Sequence, residues 1–263
     1  MDAQNVNTQP LAQAENPPRI RQAVLEQPWA WLAAGWRDIW RAPQVSLTYG
    51  ALFTAISMAL TAGLFYGEIE YLLPPLAAGF MLVGPMLAVG LYETSRRLEA
   101  GEPVSLGAAL FVATRSPAQL AFLGAILALA LIAWMRLASL LFALFFGSLE
   151  FPPLEQILPL LFFSWEGIGL LIVGSALGGC IAAAVFAVSA VSVPLLMMRD
   201  LDTVTAMLVS LRVVRENFAV MALWAWLIAV LTGFGLMWAF LGLTLTFPLV
   251  GHATWHAYRD LID

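Results

Sequence analysis

Histidine occurs at two positions in the 263 residues, His252 and His256. Four residues apart, they stand one helical turn from each other with both rings on one face. Asp260 carries that face a further turn. Two imidazoles and a carboxylate so spaced make part of a metal or haem site. A zinc ion takes three or four protein ligands, so a complete site needs help from elsewhere in the chain. Glu93 and Asp200, which leave two other apolar segments at the same level, are the side chains placed to give it. The competing reading is structural, with both rings hydrogen-bonded to neighbouring helices and headgroups. Trp255 and Arg259 form a second pair at the same spacing. That pair suits a cation–π or snorkelling contact at a membrane boundary. With Arg259 as the boundary, His256 lies about 4.5 Å inside it and His252 about 10 Å.

Two further sets of residues stand out. Arg136 falls within a long apolar run. A charge there is by default a functional position, either binding an anionic substrate or anchoring the helix by pairing with Glu150, Glu155 or Glu166. It lies 18 residues after Ala118, about 27 Å along a helix. That places it near the far interface and favours the anchoring role. Gly174 and Gly178 form a G-x-x-x-G pair, beside a parallel stripe of Ser175, Gly179 and Ala183. Small residues at this spacing let helices approach closely, within this bundle, in an oligomer or against another membrane protein. Tryptophans gather at Trp29, Trp31, Trp36 and Trp40, and again at Trp224, Trp226, Trp238 and Trp255. Indoles prefer the membrane–water boundary. The sequence holds no P-loop, H-E-x-x-H or G-x-S-x-G motif, and no paired intramembrane acids of a proton relay.

The elements that carry these residues are set by composition. Hydrophobic residues make up 61% of the chain and charged residues 11%, with mean hydropathy +0.86. A soluble domain is about half apolar and a quarter charged, so this is a polytopic membrane protein. Apolar runs cover residues 45–65, 71–92, 118–146, 167–198, 218–240 and 241–258. These predict six transmembrane helices, the third and fourth overlong. Eleven of the twelve arginines fall on one side of that topology, and the loops opposite carry Glu68, Glu70, Glu150, Glu155 and Glu166. The positive-inside rule then puts both termini in the cytoplasm. Residues 1–22, polar and rich in proline, have no signal-peptide apolar core and read as a disordered tail. Residues 23–263 form one membrane domain. The single cysteine, Cys180, excludes an intramolecular disulfide. No basic face for nucleic acid is present.

The same boundaries suggest a repeat. Residues 29–41, 105–115 and 203–215 each form a short, moderately apolar segment ending in arginine before a proline or asparagine. Each suits an interfacial helix on the cytoplasmic side. The second, fourth and sixth spans each carry a proline before their exit, Pro85, Pro194 and Pro248. Three parallel copies of one unit follow, at about 29–92, 105–198 and 203–258. The fold class is therefore all-α: six spans and three interfacial helices in pseudo-threefold repeat.

The string FPLVGHATWHAYRDLI, residues 247–262, resembles the closing motif of a bacterial integral membrane family, domain of unknown function 2189. WRDIWRAP (36–43) and GPMLAVGLYETSRRLEAGE (84–102) also resemble it. The likeness runs from about Trp29 to Ile262. It implies that His252, Trp255, His256, Tyr258 and Arg259 are family-pattern positions, with no activity attached. Some members carry a label evoking cytochrome c oxidase subunit I, but two histidines are too few for the haems and copper of an oxidase core. The expected function is that of a non-enzymatic inner-membrane protein, an accessory subunit or assembly factor of a membrane complex, a respiratory one included. A permease for a small or lipidic substrate is one alternative. A metal- or haem-handling protein using His252 and His256 is the other. A continuous polar midplane cavity would favour the permease, and a filled core the accessory role.

Overall fold

The structure, a computed structural model, describes residues 18–147 and 154–263. Among them are twelve α-helices and no extended strand. The first helix, α1 (Gln27–Arg41), opens with Pro28 in its first turn and buries Trp31, Gly35, Asp38 and Ile39 along one stripe. The chain turns at Ala42 and enters α2 (Pro43–Tyr66), again with proline at the start. A proline there costs nothing, since the first amide hydrogens of a helix have no partner anyway. A 3-10 turn, Glu70–Leu72, leads into α3 (Leu73–Leu87) and α4 (Val89–Ala100), which are separated by a break at Ala88. Gly101, at φ 68°, ends α4 in the left-handed conformation that glycine adopts without strain.

Ser105 caps α5 (Leu106–Leu110), accepting from the Ala108 amide. Then α6 (Pro117–Phe146) runs 30 residues without interruption, about 45 Å. Beyond it come α7 (Leu154–Phe163) and α8 (Trp165–Ser189), the latter capped by Ser164. A short α9 (Ser192–Met198) follows a break at 190–191. Pro194 has no amide hydrogen to give the Ala190 carbonyl, which removes one bond of a continuous helix at the turn where this one breaks. Asp202 caps α10 (Thr203–Glu216). The last pair is α11 (Phe218–Met237) and α12 (Leu243–Leu261).

Five stretches are long and apolar enough to cross a membrane: Pro43–Tyr66, Glu70–Ala100, Pro117–Phe146, Trp165–Met198 and Phe218–Met237. The segment expected as a sixth span is helical, as α12, but much of it is polar, and it lies inside the bundle. It is packed by α1, α2, α4 and α11. The fit is close at two crossings. A Cβ on Gly35 would stand 2.8 Å from the Ala253 amide nitrogen and 2.9 Å from the Leu249 carbonyl oxygen. A Cβ on Gly50 would collide with the Thr244 carbonyl. Phe247 of α12 gathers Phe53 and Phe80 at ring separations of 4.9 and 5.8 Å, and Trp31 meets Trp224 edge-on at 5.6 Å.

Of the three interfacial helices expected, two segments are helical over their whole predicted length, as α1 and α10. The middle one is not: residues 105–115 give only the five-residue α5. Residues 111–116 are irregular, held to α9 by the amides of Arg115 and Ser116 on the carbonyls of Met197 and Leu196. Val112 is β-branched, and Ser116 precedes Pro117, which turns it out of the helical region. The tail expected over residues 1–22 lies mostly outside the described residues. Its described end runs beside the C-terminus, where Ile20 pairs antiparallel with Ile262. Asn217 fixes it there, accepting from the Ala23 amide at 2.7 Å and donating to the Arg21 carbonyl at 3.2 Å.

Candidate functional site

Four helices meet at one polar cluster. The buried stripe of α1 brings in Asp38, α2 brings Ser46 from its first turn, α4 brings Ser95, and α12 brings His252 and His256. His252 is wholly buried and Asp38 nearly so. Ser46 Oγ lies 2.9 Å from His252 Nε2, and Ser95 Oγ lies 2.8 Å from His252 Nδ1. Ser95 also donates to Asp38 Oδ2 at 2.8 Å. His256 Nε2 reaches the same Asp38 oxygen at 2.8 Å.

The hydrogens follow from this geometry. Ser95 has one hydroxyl hydrogen and gives it to the carboxylate, so its oxygen accepts from His252. His252 therefore carries its proton on Nδ1, and its bare Nε2 accepts from Ser46. Burial disfavours the charged form of Asp38. The hydrogen bonds from His256 and Ser95, with the nearby imidazoles, outweigh that and hold its carboxyl below the usual aspartate value. Arg41, largely exposed, approaches the other oxygen of Asp38 at 3.8 Å.

A second layer surrounds the cluster. Trp31 Nε1 donates to Asp260 at 2.7 Å. Trp255 Nε1 and Arg259 Nε both donate to Glu99, each at 3.1 Å. Trp255 and Arg259 thus meet through one shared carboxylate, where the sequence suggested a cation–π or snorkelling contact. Trp255 is also buried, its ring beside Tyr258 at 5.5 Å.

The carboxylates expected to complete a metal site are engaged elsewhere. Glu93 holds Arg96 at 2.8 Å and Arg97 at 2.6 Å, and Asp200 accepts from Ser116 at 3.2 Å. Among the described residues, no group of three or more His, Cys, Asp and Glu side chains is placed to hold a metal ion. Both ring nitrogens of His252 already have serine partners. The arrangement joins four helices through hydrogen bonds.

The remaining candidates lie away from this cluster. Arg136 is exposed on α6 and makes no ion pair among the described residues. Glu150 and the side chain of Glu155, two of its three expected partners, lie outside what is described. The glycine pair on α8 divides. A Cβ on Gly178 would stand 2.8 Å from the Trp134 ring of α6, and one on Gly174 would meet nothing nearer than Leu170 at 4.0 Å. The Trp134 indole is fixed in turn by the Pro75 carbonyl, 2.8 Å from Nε1. Gly174 and Gly178 border an apolar cavity of about 470 Å³ between α3, α6 and α8. A second, of about 520 Å³, lies between α3, α8, α11 and α12.

Sequence reasoning missed Asp38, Ser46 and Ser95. For Asp38 a signal was present: it shares the spacing of Trp31, Gly35 and Ile39 and so places a charge on the apolar face of an amphipathic helix. The serines carry no such mark.

Residues 72–198 match the family model described as predicted integral membrane protein, DUF2189. The DUF2189 match runs from the start of α3 to the end of α9. It takes in the segment 84–102, and with it Ser95. The WRDIWRAP string on α1 and the histidine-bearing motif of α12 lie outside it. No curated protein and no solved structure gave a significant match. With five long apolar helices, the DUF2189 match identifies a multi-pass integral membrane protein.

Proposed function

We propose that this is a non-enzymatic membrane protein of the bacterial inner membrane, both termini cytoplasmic, that serves another membrane complex as an accessory subunit or assembly factor. The observation that carries the reading is the exposed apolar outer face of the α6–α8 pair. Leu129, Ile132 and Leu144 on α6, and Ile168, Ile172 and Leu177 on α8, are all exposed. At about 45 Å, α6 exceeds the roughly 30 Å hydrocarbon core. A helix that long gains by burying its excess against protein. Many polar groups at the arginine-rich end are bonded to one another, and the two cavities among the long apolar helices are lined almost wholly by apolar side chains, which suits a polar solute poorly.

The test is site-specific photocrosslinking in native membranes, from a reactive residue at Leu144 or Ile172 and, for comparison, at Val230 on α11. The expected result is one discrete protein adduct from the α6 and α8 positions, in a complex that survives mild detergent. Lipid adducts alone, with a lone monodisperse protein after extraction, overturn it.

A further inference from the structure

We propose that the cavity between α3, α8, α11 and α12 binds a lipidic molecule whose apolar body ends in an uncharged carbonyl acceptor. Its volume, about 520 Å³, falls within the roughly 300–1,000 Å³ of small-molecule sites. Phe80, Leu82, Ala183, Phe186, Ile228 and Phe247 are among the apolar side chains of its wall.

Two lining side chains point to a ligand. Tyr92 is 2% exposed and Trp224 1%. Hydroxyl and indole groups buried this far ordinarily have a partner, yet no side-chain hydrogen bond among the described residues involves the Tyr92 hydroxyl or the Trp224 indole N–H. At the same time, no fully buried side-chain nitrogen or oxygen among the described residues lacks a partner. The Tyr92 hydroxyl and the Trp224 N–H are therefore still reachable, and the space beside them is this cavity. Of the other hydroxyls that line it, Ser189 donates to the Val185 carbonyl and Thr254 to the Val250 carbonyl, each within its own helix, while Thr232 on α11 makes no side-chain hydrogen bond among the described residues.

The chemistry of the occupant follows. Indole N–H only donates, and a phenol donates readily, so the ligand must bring an acceptor. No charged side chain lines the cavity. A carboxylate or phosphate there would be buried without a counter-charge, which is costly. An ester or ketone carbonyl fits. The apolar body has room to extend, because Met81, Leu82, Gly179 and Ala182 line both this cavity and its neighbour between α3, α6 and α8. Gly179 keeps the junction open: a Cβ there would touch nothing within 4 Å. Tyr92 precedes Glu93 of the ion-paired end, so the carbonyl end of the ligand faces that way. A phospholipid tail with its ester and a free lipophilic ester or ketone share this chemistry.

The test uses three probes, each with a mid-chain diazirine, on protein in nanodiscs: palmitic acid methyl ester, palmitic acid, and a phosphatidylethanolamine. Labelled peptides are mapped by mass spectrometry. Saturable ester labelling is expected at residues 179–186 and 224–229, competed by unlabelled ester. Labelling on the outer face of α6, at Leu129 and Ile132, should not saturate. Tyr92→Phe with Trp224→Phe, which removes both donors, should weaken the cavity signal at least tenfold, with the α6 signal unchanged. Ala183→Phe, which fills the cavity, should abolish it. If the double variant misfolds, Tyr92→Phe alone and the wild-type competition carry the same reading. Phosphatidylethanolamine labelling at the cavity would assign the occupant to the bilayer, and ester labelling alone to a free lipid. Equal labelling by the free acid, non-saturable labelling, or indifference to both the Tyr92 and Ala183 changes overturns the proposal.

Discussion

Replacing Ser95 by alanine removes a single oxygen and tests whether the His252 cluster acts as a unit. Ser95 donates to Asp38 and accepts from His252, both at 2.8 Å. A hydrogen bond to a charged group contributes about 1.5–3 kcal/mol, and a buried donor left without a partner costs about 1–3 kcal/mol. Ser95→Ala loses the first and orphans the Nδ1–H of His252, so the expected loss is about 3–5 kcal/mol. At about 2–4 °C per kcal/mol for a chain of this size, the midpoint falls by roughly 10 °C. The alternative number is far smaller, since an average interhelical hydrogen bond in a membrane protein contributes about 0.6 kcal/mol. The assay is SDS titration in mixed micelles, with thermal unfolding followed by tryptophan fluorescence. Thr61→Ala is the control, because that hydroxyl only bonds the Ser57 carbonyl of its own helix at 2.8 Å, and its loss should stay within about 0.5 kcal/mol. A Ser95→Ala cost near 1 kcal/mol or below would refute a coupled network. So would simple additivity with Asp38→Asn, where residues sharing a network should couple by about 0.5–3 kcal/mol.

Acid should act through Asp38. Its carboxyl is held below the usual value in the folded protein, so its contribution is complete above the unfolded value near pH ~4 and is lost as pH falls through the lower folded value. Wild type should lose stability over that acid range more steeply than Asp38→Asn, and parallel curves would count against the assignment. On α8, Gly178→Ala should destabilise by about 1–3 kcal/mol by forcing the Trp134 ring aside, whereas Gly174→Ala should be neutral or better. Equal effects would restore a symmetric G-x-x-x-G contact. Asp202 accepts from the Thr205 amide at 2.9 Å at the start of α10, so Asp202→Ala should cost about 1 kcal/mol, read as a midpoint shift of a few degrees. No shift would mean that tertiary contacts alone hold that helix end.

Much of the fold was legible because the bilayer imposes a simple rule on apolar runs. The ends of α2 and α6 fall within two residues of where hydropathy, proline and glycine place them, and α11 starts at the expected Phe218 but stops at Met237, three residues early. What escaped was the depth at which each helix sits. The segment 241–258 reads as a span by its apolar first half, yet α12 is defined by what surrounds it, and hydropathy contains no information on neighbours. The cluster escaped for the same reason. Ser46 and Ser95 meet His252 across 206 and 157 residues of chain, and each looks locally like any helix serine. Asp38 was readable in principle, because its neighbours on α1 fix which face it shares. Tyr92 and Trp224 were not. Their significance lies in a partner they lack, which only three-dimensional contacts can reveal.

Why histidine stands at 252 then has a physical answer. The three proline-bearing segments expected to correspond behave differently. The segment with Pro85 breaks at Ala88, and the one with Pro194 breaks at 190–191, so each continues as a separate short helix. The helix with Pro248 runs on unbroken, and its last three turns lie between α1, α2 and α4. A side chain in that position must satisfy donors and acceptors on two opposite sides at once. Imidazole is suited to this, with one nitrogen on each edge of a rigid ring, one donating and one accepting. At 252 it spans from Ser46 on α2 to Ser95 on α4, and one turn later His256 ties α12 to α1 through Asp38. A glutamine could supply both a donor and an acceptor but only from one end, so it could not reach both serines. The four-residue spacing that suggests a ligand pair is the spacing that lets one helix bind three others.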